Sequence, residues 1–365
     1  MTSTTVSLRV LFAGGGTGGH LFPGIAVARE VLRRQPSAQV LFAGPGRDLE
    51  VRVLAREGFA LERVRAVGLV GRSPWAVTKG LCALPAAFLD AQGVLRQHRP
   101  DLVVGLGGYS SGPVVLLAAA TGVPTLLLEQ NAVPGVTNRL LAKVARAAAV
   151  SFEETLSYFG GRGFHSGNPV RSGFFEARPA TSRPAEPRIL VLGGSQGAHA
   201  LNVAMVDVAS GLATWSRPVH ITHQSGPADL ELVREGYRSA GVAARVEPFL
   251  DRMDAEMSEA DLVVCRAGAT TLAELAASGR PAILVPFPFA ANDHQRRNAA
   301  AVANVGAAEV IDPDELTTAL LAERLQALVA DDARRTAMGA ASRRRAKPDA
   351  AGLIVDRMER LTGRR

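Results

Sequence analysis

Two glycine-rich turns of nearly the same make, Gly14-Gly15-Gly16-Thr17-Gly18-Gly19 and Gly193-Gly194-Ser195-Gln196-Gly197-Ala198, stand half a chain apart. Each follows a short apolar strand pattern, Ser7–Ala13 and Pro187–Leu192, and each opens a helical one, Leu21–Arg34 and His199–Leu212. A turn in that position is expected to present free backbone N–H groups and the positive end of a helix, and glycine carries no Cβ to keep an anion or a sugar hydroxyl away from them. A single such turn is also the pattern of a tight βα connection with no ligand. Two in matched contexts predict two nucleotide-fold halves around one cleft.

A chain of 365 residues exceeds what one hydrophobic core usually serves, so two domains are expected. Hydrophobic residues make up 47% and charged residues 21%, a globular balance that excludes a disordered chain. Cys82 and Cys265 lie in apolar segments with no metal or redox spacing, and both are expected to be packed, reduced thiols in a cytoplasmic protein. The N-terminus lacks the charged-then-apolar pattern of a secretory signal. No apolar stretch reaches the ~20 residues that cross a bilayer. A soluble or peripheral protein is therefore expected. The net charge of +7 favours an anionic partner, although the run Arg343-Arg344-Arg345-Ala346-Lys347 and the terminal Arg364-Arg365 read as solvated helix face and tail. Three Tyr and two Trp, not interleaved with basic residues, argue against single-strand nucleic-acid binding by stacking.

Apolar runs alternate with longer helical stretches throughout. In the first half they are Val40–Ala43, Leu102–Leu106 and Thr125–Leu128; in the second, Val219–Thr222, Arg245–Pro248, Leu262–Cys265 and Ala282–Val285. Such alternation predicts βα units on parallel sheets covered on both faces. Gly160-Gly161-Arg162-Gly163, Gly167-Asn168-Pro169 and the Pro179–Pro187 stretch read as the ground between the halves, with the hinge near Asn168. The expected domains are 1–167, 168–347 and a C-terminal helical stretch 348–365 expected to pack back on the first. The helical pattern Ala351–Leu361 in that stretch could pack on either domain by its own periodicity.

Ligands of open α/β sheets gather at the carboxyl ends of the strands. Four polar, small-residue loops fall there: Gly107-Gly108-Tyr109-Ser110-Ser111-Gly112-Pro113, Glu129-Gln130-Asn131, Arg266–Glu274 and Pro286–Gln295. Arg266–Glu274 is the most nucleotide-like. Gly268 and Ala269 leave room for a diphosphate at a helix start, and Glu274, about one turn on, can accept hydrogen bonds from both ribose hydroxyls. It can equally be an ordinary helix glutamate. His20, immediately after the first turn, has a reference pKa near ~6.5 and could take a proton from an attacking sugar hydroxyl, or could simply cap the helix. Neither turn carries the dehydrogenase fingerprint in its proper context, and no Lys-Ser/Thr follows for a P-loop.

Taken in order, Gly15–Gly24, Gly107–Pro113, Glu129-Gln130-Asn131, Gly167-Asn168-Pro169-Val170-Arg171, Gly193–Ala198 and Asp293-His294-Gln295 resemble the MurG family. These are the bacterial N-acetylglucosaminyltransferases that convert lipid I to lipid II in peptidoglycan synthesis. The resemblance spans most of the chain, from the first strand to beyond Asn298. It implies an α/β GT-B fold of two Rossmann-like domains with parallel sheets facing a central cleft, the acceptor held mainly by the first and UDP-N-acetylglucosamine mainly by the second. It implies an inverting transfer to the C4 hydroxyl of the muramic sugar, with His20 and Thr17 at the reaction centre. By the matching motifs, Arg171 and Ser195 would contact the diphosphate, Glu274 the ribose and the backbone near Leu250 the uracil. Gln295 and Asn131 would hold the transferred sugar. Thr17, Gly18, Ala269 and Thr270 complete the expected donor contacts, and Gly15, Gly16, Gly18, Gly19, Gly108, Tyr109 and Asn131 the acceptor contacts. No cofactor and no active-site metal are expected, since no Asp-x-Asp clamp is present and helix dipoles with basic side chains can stabilise the departing UDP. Leu128 stands where many relatives carry His.

The acceptor's long isoprenoid tail implies a protein that meets the cytoplasmic face of the inner membrane without spanning it. Leu69, Trp75, Leu81, Leu84 and Phe88, mixed with Arg72 and Lys79, form the candidate contact with anionic lipid, and Arg139 and Lys143 could extend its basic edge. The same stretch also fits a plain core helix. Two rival readings remain: a UDP-N-acetylglucosamine 2-epimerase on the same two-domain plan, and a non-catalytic nucleotide-sugar-binding subunit.

Overall fold

The computed structural model describes residues 7–66, 74–176, 186–194, 197–290 and 293–363, with the helical backbone alone over 74–82. It divides into two compact units, residues 1–170 with 349–365, and 171–348. The first carries seven strands: β1 (Arg9–Gly14), β2 (Gln39–Gly44), β3 (Ala60–Arg63), β4 (Leu102–Gly107), β5 (Thr125–Glu129), β6 (Ala147–Val150) and β7 (Gly163–His165). They pair in the order β3-β2-β1-β4-β5-β6-β7, and every pairing is parallel.

Both faces of this sheet are buried, which is why its strands read as continuous apolar runs rather than alternating ones. Val10 and Phe12 of β1 join a core with Leu21, Ile25 and Val31 of helix α1 (Gly18–Arg34). Leu11 and Ala13 point the other way, into a core with Val114 and Val115. Neighbouring strands agree in register: Phe12 pairs with Phe42 of β2, and their rings stack at 5.1 Å. Between strands run α2 (Asp48–Glu57), α3 (Pro74–His98), α4 (Ser111–Ala120) and α5 (Val136–Leu141). Among the described residues no helix is long and apolar enough to cross a membrane.

The second unit carries β8 (Arg188–Leu192), β9 (His220–Gln224), β10 (Ala244–Glu247), β11 (Leu262–Cys265), β12 (Ala282–Leu284) and β13 (Ala308–Val310). Their order is β10-β9-β8-β11-β12-β13, again all parallel. The connections supply α6 (His199–Ala209), α7 (Leu230–Ser239), α8 (Met253–Glu259), α9 (Ala269–Ser278) and α10 (His294–Ala303), and α11 (Thr318–Ala330) and α12 (Asp332–Arg344) follow β13. The last helix, α13 (Ala350–Thr362), belongs to the first unit. There Ile354, Val355 and Met358 enter the core beside α1, and Arg34 of α1 pairs with Asp356 at 2.5 Å.

The Gly160–Gly163 stretch, read from sequence as ground between the halves, ends in the edge strand β7. Gly163, Phe164 and His165 pair with Ala148, Ala149 and Val150. Three residues are too few to show a period, so only the glycines mark this stretch in the sequence.

Candidate active site

Each sheet reverses its strand order beside its central strand, between β1 and β4 in the first unit and between β8 and β11 in the second. That is where an α/β sheet opens a crevice at its carboxyl edge. Both glycine turns follow the strands at these points.

In the first unit, Gly14, Gly15 and Gly16 run through positive φ values of 116°, 138° and 85° before Thr17 starts α1. His20, half-buried, places Nδ1 3.1 Å from the Thr17 hydroxyl. The far edge of its ring lies against Gly107 at the end of β4, where a Cβ would meet Cδ2 at 2.9 Å. Only glycine fits there, the more so because Gly107 has φ +96°. Tyr109 follows with its ring partly exposed, and Ser111 donates to the Gly108 carbonyl at 2.8 Å. The first switch point therefore gathers Gly15, Gly16, Thr17, His20, Gly108 and Tyr109.

Asn131 enters at the end of β5, on a loop organised by Glu129. That carboxylate is buried and accepts from the Asn131 N–H at 3.0 Å, the Asn131 amide at 3.3 Å, the Gly135 N–H at 3.0 Å and the Asn138 amide at 2.9 Å. Burial pushes its carboxyl pKa up, while those four donors pull against the shift. Sequence reading quoted Glu129 only as part of a loop. A glutamate in the last position of an apolar strand was the available signal, since an acid there is buried only if donors converge on it.

One expectation for the first turn is corrected. Its N–H groups are not all free for a ligand, because the Gly16 N–H donates to the Glu50 side chain at 2.8 Å. Glu50 lies in another βα connection, and nothing in the local sequence of the turn reveals it.

In the second unit Ala269 and Thr270, both buried, open α9, and Glu274 lies one turn further along the same helix. Burial pushes the Glu274 carboxyl up to about 7, with the Arg171 guanidinium pulling the other way. Arg171 also rests 5.3 Å from the Phe174 ring centre. The geometry thus brings Arg171, Ala269, Thr270 and Glu274 together. Leu250, with a buried side chain, lies between β10 and α8. Gln295 is partly committed: its carbonyl oxygen accepts from the Phe287 N–H at 2.9 Å. Ser195 lies outside the described residues, as do Leu69 and Arg72. The side chains of Trp75, Lys79 and Leu81 are likewise outside, whereas Leu84 and Phe88 are half-buried on α3.

Two residues that sequence reading did not assign support this second site. Arg266, at the end of β11, donates to the Val285 and Pro286 carbonyls at 3.1 and 2.9 Å. Asn298 of α10 is fully buried and donates to the Ala267 carbonyl at 3.2 Å, tying α10 to the turn that begins α9.

Comparison with known proteins places both units. Residues 10–150 match the model of the glycosyltransferase family 28 N-terminal domain, and residues 188–354 that of the glycosyltransferase family 28 C-terminal domain. A protein of Anaeromyxobacter dehalogenans strain 2CP-1 is 46% identical over 361 residues, covering 98% of this chain and 94% of that one. It is named UDP-N-acetylglucosamine–N-acetylmuramyl-(pentapeptide) pyrophosphoryl-undecaprenol N-acetylglucosamine transferase. The crystal structure of Acinetobacter baumannii MurG superposes with a TM-score of 0.76 at 31% identity, covering 97% of this chain and 99% of that one. A UDP-GlcNAc 2-epimerase from Neisseria meningitidis superposes with a TM-score of 0.66 at 12% identity, over 97% of this chain and all of that one, a likeness of fold alone.

Proposed function

The chain belongs to glycosyltransferase family 28, and from that premise we propose that it moves N-acetylglucosamine from UDP-N-acetylglucosamine to the C4 hydroxyl of the muramic sugar of undecaprenyl-linked lipid I, forming lipid II. The observation that carries this reading is the end-to-end relation to a transferase of that printed activity, at 46% identity. The epimerase likeness does not extend beyond the fold.

The first unit holds the acceptor and the second the donor. The acceptor hydroxyl loses its proton to His20 as its oxygen attacks the anomeric carbon from the face opposite UDP. The bond from that carbon to the phosphate oxygen breaks, and UDP leaves with the electron pair. An imidazole that takes this proton at Nε2 must carry its other hydrogen on Nδ1 and donate it to the Thr17 oxygen, the 3.1 Å contact of the structure. Arg171 and the amino end of α9 offset charge growing on the diphosphate. Glu274 accepts from the ribose hydroxyls, and Asn131, on the loop held by Glu129, meets the transferred sugar. Transfer of labelled N-acetylglucosamine to a lipid I analogue tests the whole reading. Conversion of the donor to its manno epimer with no acceptor present would replace it with the epimerase reading.

Attachment to an anionic membrane surface belongs to the same proposal. Leu89 of α3, Leu116 of α4, and Leu140 and Val144 in and after α5 are exposed, and α4 packs against both α3 and α5. Arg139, Lys143 and Arg146, also exposed, stand in the same stretch of chain as Leu140 and Val144. Apolar area with a basic edge gains from tail burial and from anionic head groups together. Replacing Leu89, Leu116 and Leu140 by Ser should reduce sedimentation with anionic liposomes and spare activity on a short-chain soluble acceptor. Unchanged sedimentation would remove this surface from membrane attachment.

A further inference from the structure

Glu50 is 1% exposed and lies outside every loop assigned above. It is the third residue of α2, the helix that leaves the end of β2. A glutamate at that position ordinarily closes the start of its own helix, and one oxygen does so, accepting from the Arg47 N–H at 3.0 Å. The other oxygen leaves the helix. It accepts from the Gly16 N–H of the first glycine turn at 2.8 Å. Arg47 completes the hold by donating from its guanidinium to the Gly16 carbonyl at 3.2 Å. Both backbone polar groups of Gly16 are therefore taken by two residues from a different βα connection.

The fit is steric as well. A Cβ on Gly15 would stand 2.3 Å from that same Glu50 oxygen, and one on Gly44 would stand 2.6 Å from it. These glycines leave room for the carboxylate that pins the turn. Thr17 follows Gly16 directly and His20 lies three residues beyond it, so a shift of Gly16 carries the Thr17–His20 pair with it.

We infer that Glu50 is the positioning residue of the first glycine turn, fixing Gly16 so that Thr17 and His20 are presented to the acceptor hydroxyl. This rests on the transferase reading for its effect on rate. Its structural half stands without it.

The test compares the full chain with Glu50→Gln, which keeps the side-chain shape but offers one acceptor oxygen where two N–H groups need one each. A misplacement of about 1 Å at a reaction centre can cost roughly 100-fold, so kcat should fall about 10- to 100-fold. The affinity for UDP should stay within about twofold, since Arg171 and Glu274, the groups proposed for its diphosphate and ribose, lie in the second unit. Amide hydrogen exchange over Gly16–His20 should quicken in the substrate-free protein. Unchanged kcat, or unchanged exchange at Gly16, overturns the inference. A fall in kcat, UDP affinity and Tm together would make Glu50 a general structural residue and overturn it too. The exchange measurement needs no substrate, so failure of the wild-type chain to act on lipid I would sink the transferase reading while still testing Glu50. Should Glu50→Gln fail to fold, Arg47→Ala, which releases the Gly16 carbonyl from an exposed side chain, must still quicken exchange over Gly16–His20. No change there overturns the inference.

Discussion

The first glycine turn is held by a carboxylate, Glu50, directly on the Gly16 N–H, whereas the described part of the second is held through amides and carbonyls, with the Asp229 carboxylate one step back on the Asn202 amide at 2.7 Å. Gly193 donates to the Gln224 carbonyl at 3.2 Å, and the Gln224 amide donates back to the Gly194 carbonyl at 3.1 Å. Gly197 lies against the Ser225 carbonyl, where its Cβ would come within 2.5 Å, and the Asn202 amide fixes that carbonyl at 2.9 Å. Behind Asn202 stands His223, whose ring contacts the Asn202 oxygen and the Tyr237 hydroxyl, each at 3.0 Å. The difference matters because a glycine turn binds anions through the positive field of its N–H groups. A carboxylate within hydrogen-bonding distance weakens that field, and the Arg47 guanidinium on the Gly16 carbonyl offsets only part of it. In the second turn the Gly193 and Gly197 N–H groups donate to the Gln224 and Gly194 carbonyls, neutral acceptors that take less from that field. The difference fits the proposal of an uncharged sugar hydroxyl at the first turn and the donor diphosphate at the second.

The largest effect should come from the first turn. His20→Ala should lower kcat by ~10²–10⁴-fold, the range for a lost general base, while UDP affinity stays nearly intact. Collapse of UDP binding would break the division between the turns. The acid limb of the kcat profile, which reports neutral imidazole, should vanish with the side chain. Its persistence would move the base elsewhere.

Next comes the ribose contact of the second unit. Glu274→Ala should weaken UDP binding by roughly 1.5–3 kcal/mol, the value of a hydrogen bond to a charged group. The Glu274 carboxyl titrates at about 7 in the fold against an ordinary 4.5. Ribose hydroxyls that donate to it favour its ionised form, so the affinity for UDP-N-acetylglucosamine should rise as pH is taken from about 6 to 8, with proton release on binding. Glu274→Gln should flatten that rise. An unchanged slope would take Glu274 out of the ribose site. In the unliganded chain the same raised carboxyl stabilises fully below about 4.5, and that contribution is lost as pH rises through about 7.

The smallest effect concerns the His223–Asn202 network under the second turn. Burial pushes the His223 imidazole down to about 4 from 6.5. Between those values the unfolded chain binds a proton that the folded chain refuses. Stability should therefore fall as pH drops from about 6.5 to 4, and His223→Gln should remove that portion of the acid loss in chemical denaturation. An identical acid limb in the variant would mean that His223 is not the group responsible. UDP affinity in His223→Gln then sharpens the comparison. A loss would show that the second turn depends on its His223–Asn202 support as the first depends on Glu50.

Much of the fold was legible because both sheets are parallel and covered on two sides, which leaves apolar runs such as Leu102–Leu106 and Leu262–Cys265 as unmistakable strands. Three of the four edge strands were not, nor was the internal β6, a run of three alanines and a valine. β3, β7 and β13 carry four, three and three residues and little apolar pattern, since an edge buries less and its position is set by the strand it joins. For the candidate site, the sequence offered residues that follow strands: Thr17 and His20 after β1, Asn131 after β5, and Glu274 in the helix after β11. Their supports were not legible. Glu50 meets Gly16 across 34 residues, and Asn298 meets Ala267 across 31.

By itself, then, the sequence determined the two-unit α/β plan and the loops in which chemistry gathers, because apolar period, glycine and helix start are properties of neighbouring residues. Tertiary structure alone decided that Glu50 fills the N–H of the first turn, that Glu129 shapes the Asn131 loop, and that Glu274 titrates at about 7. The first depends on a group 34 residues away, the second on a loop folding back on its own carboxylate, and the third on how much water is excluded. Burial makes a carboxylate either a clasp that requires several donors or an acid whose proton is hard to remove, and no local stretch of chain encodes how deep a residue will lie.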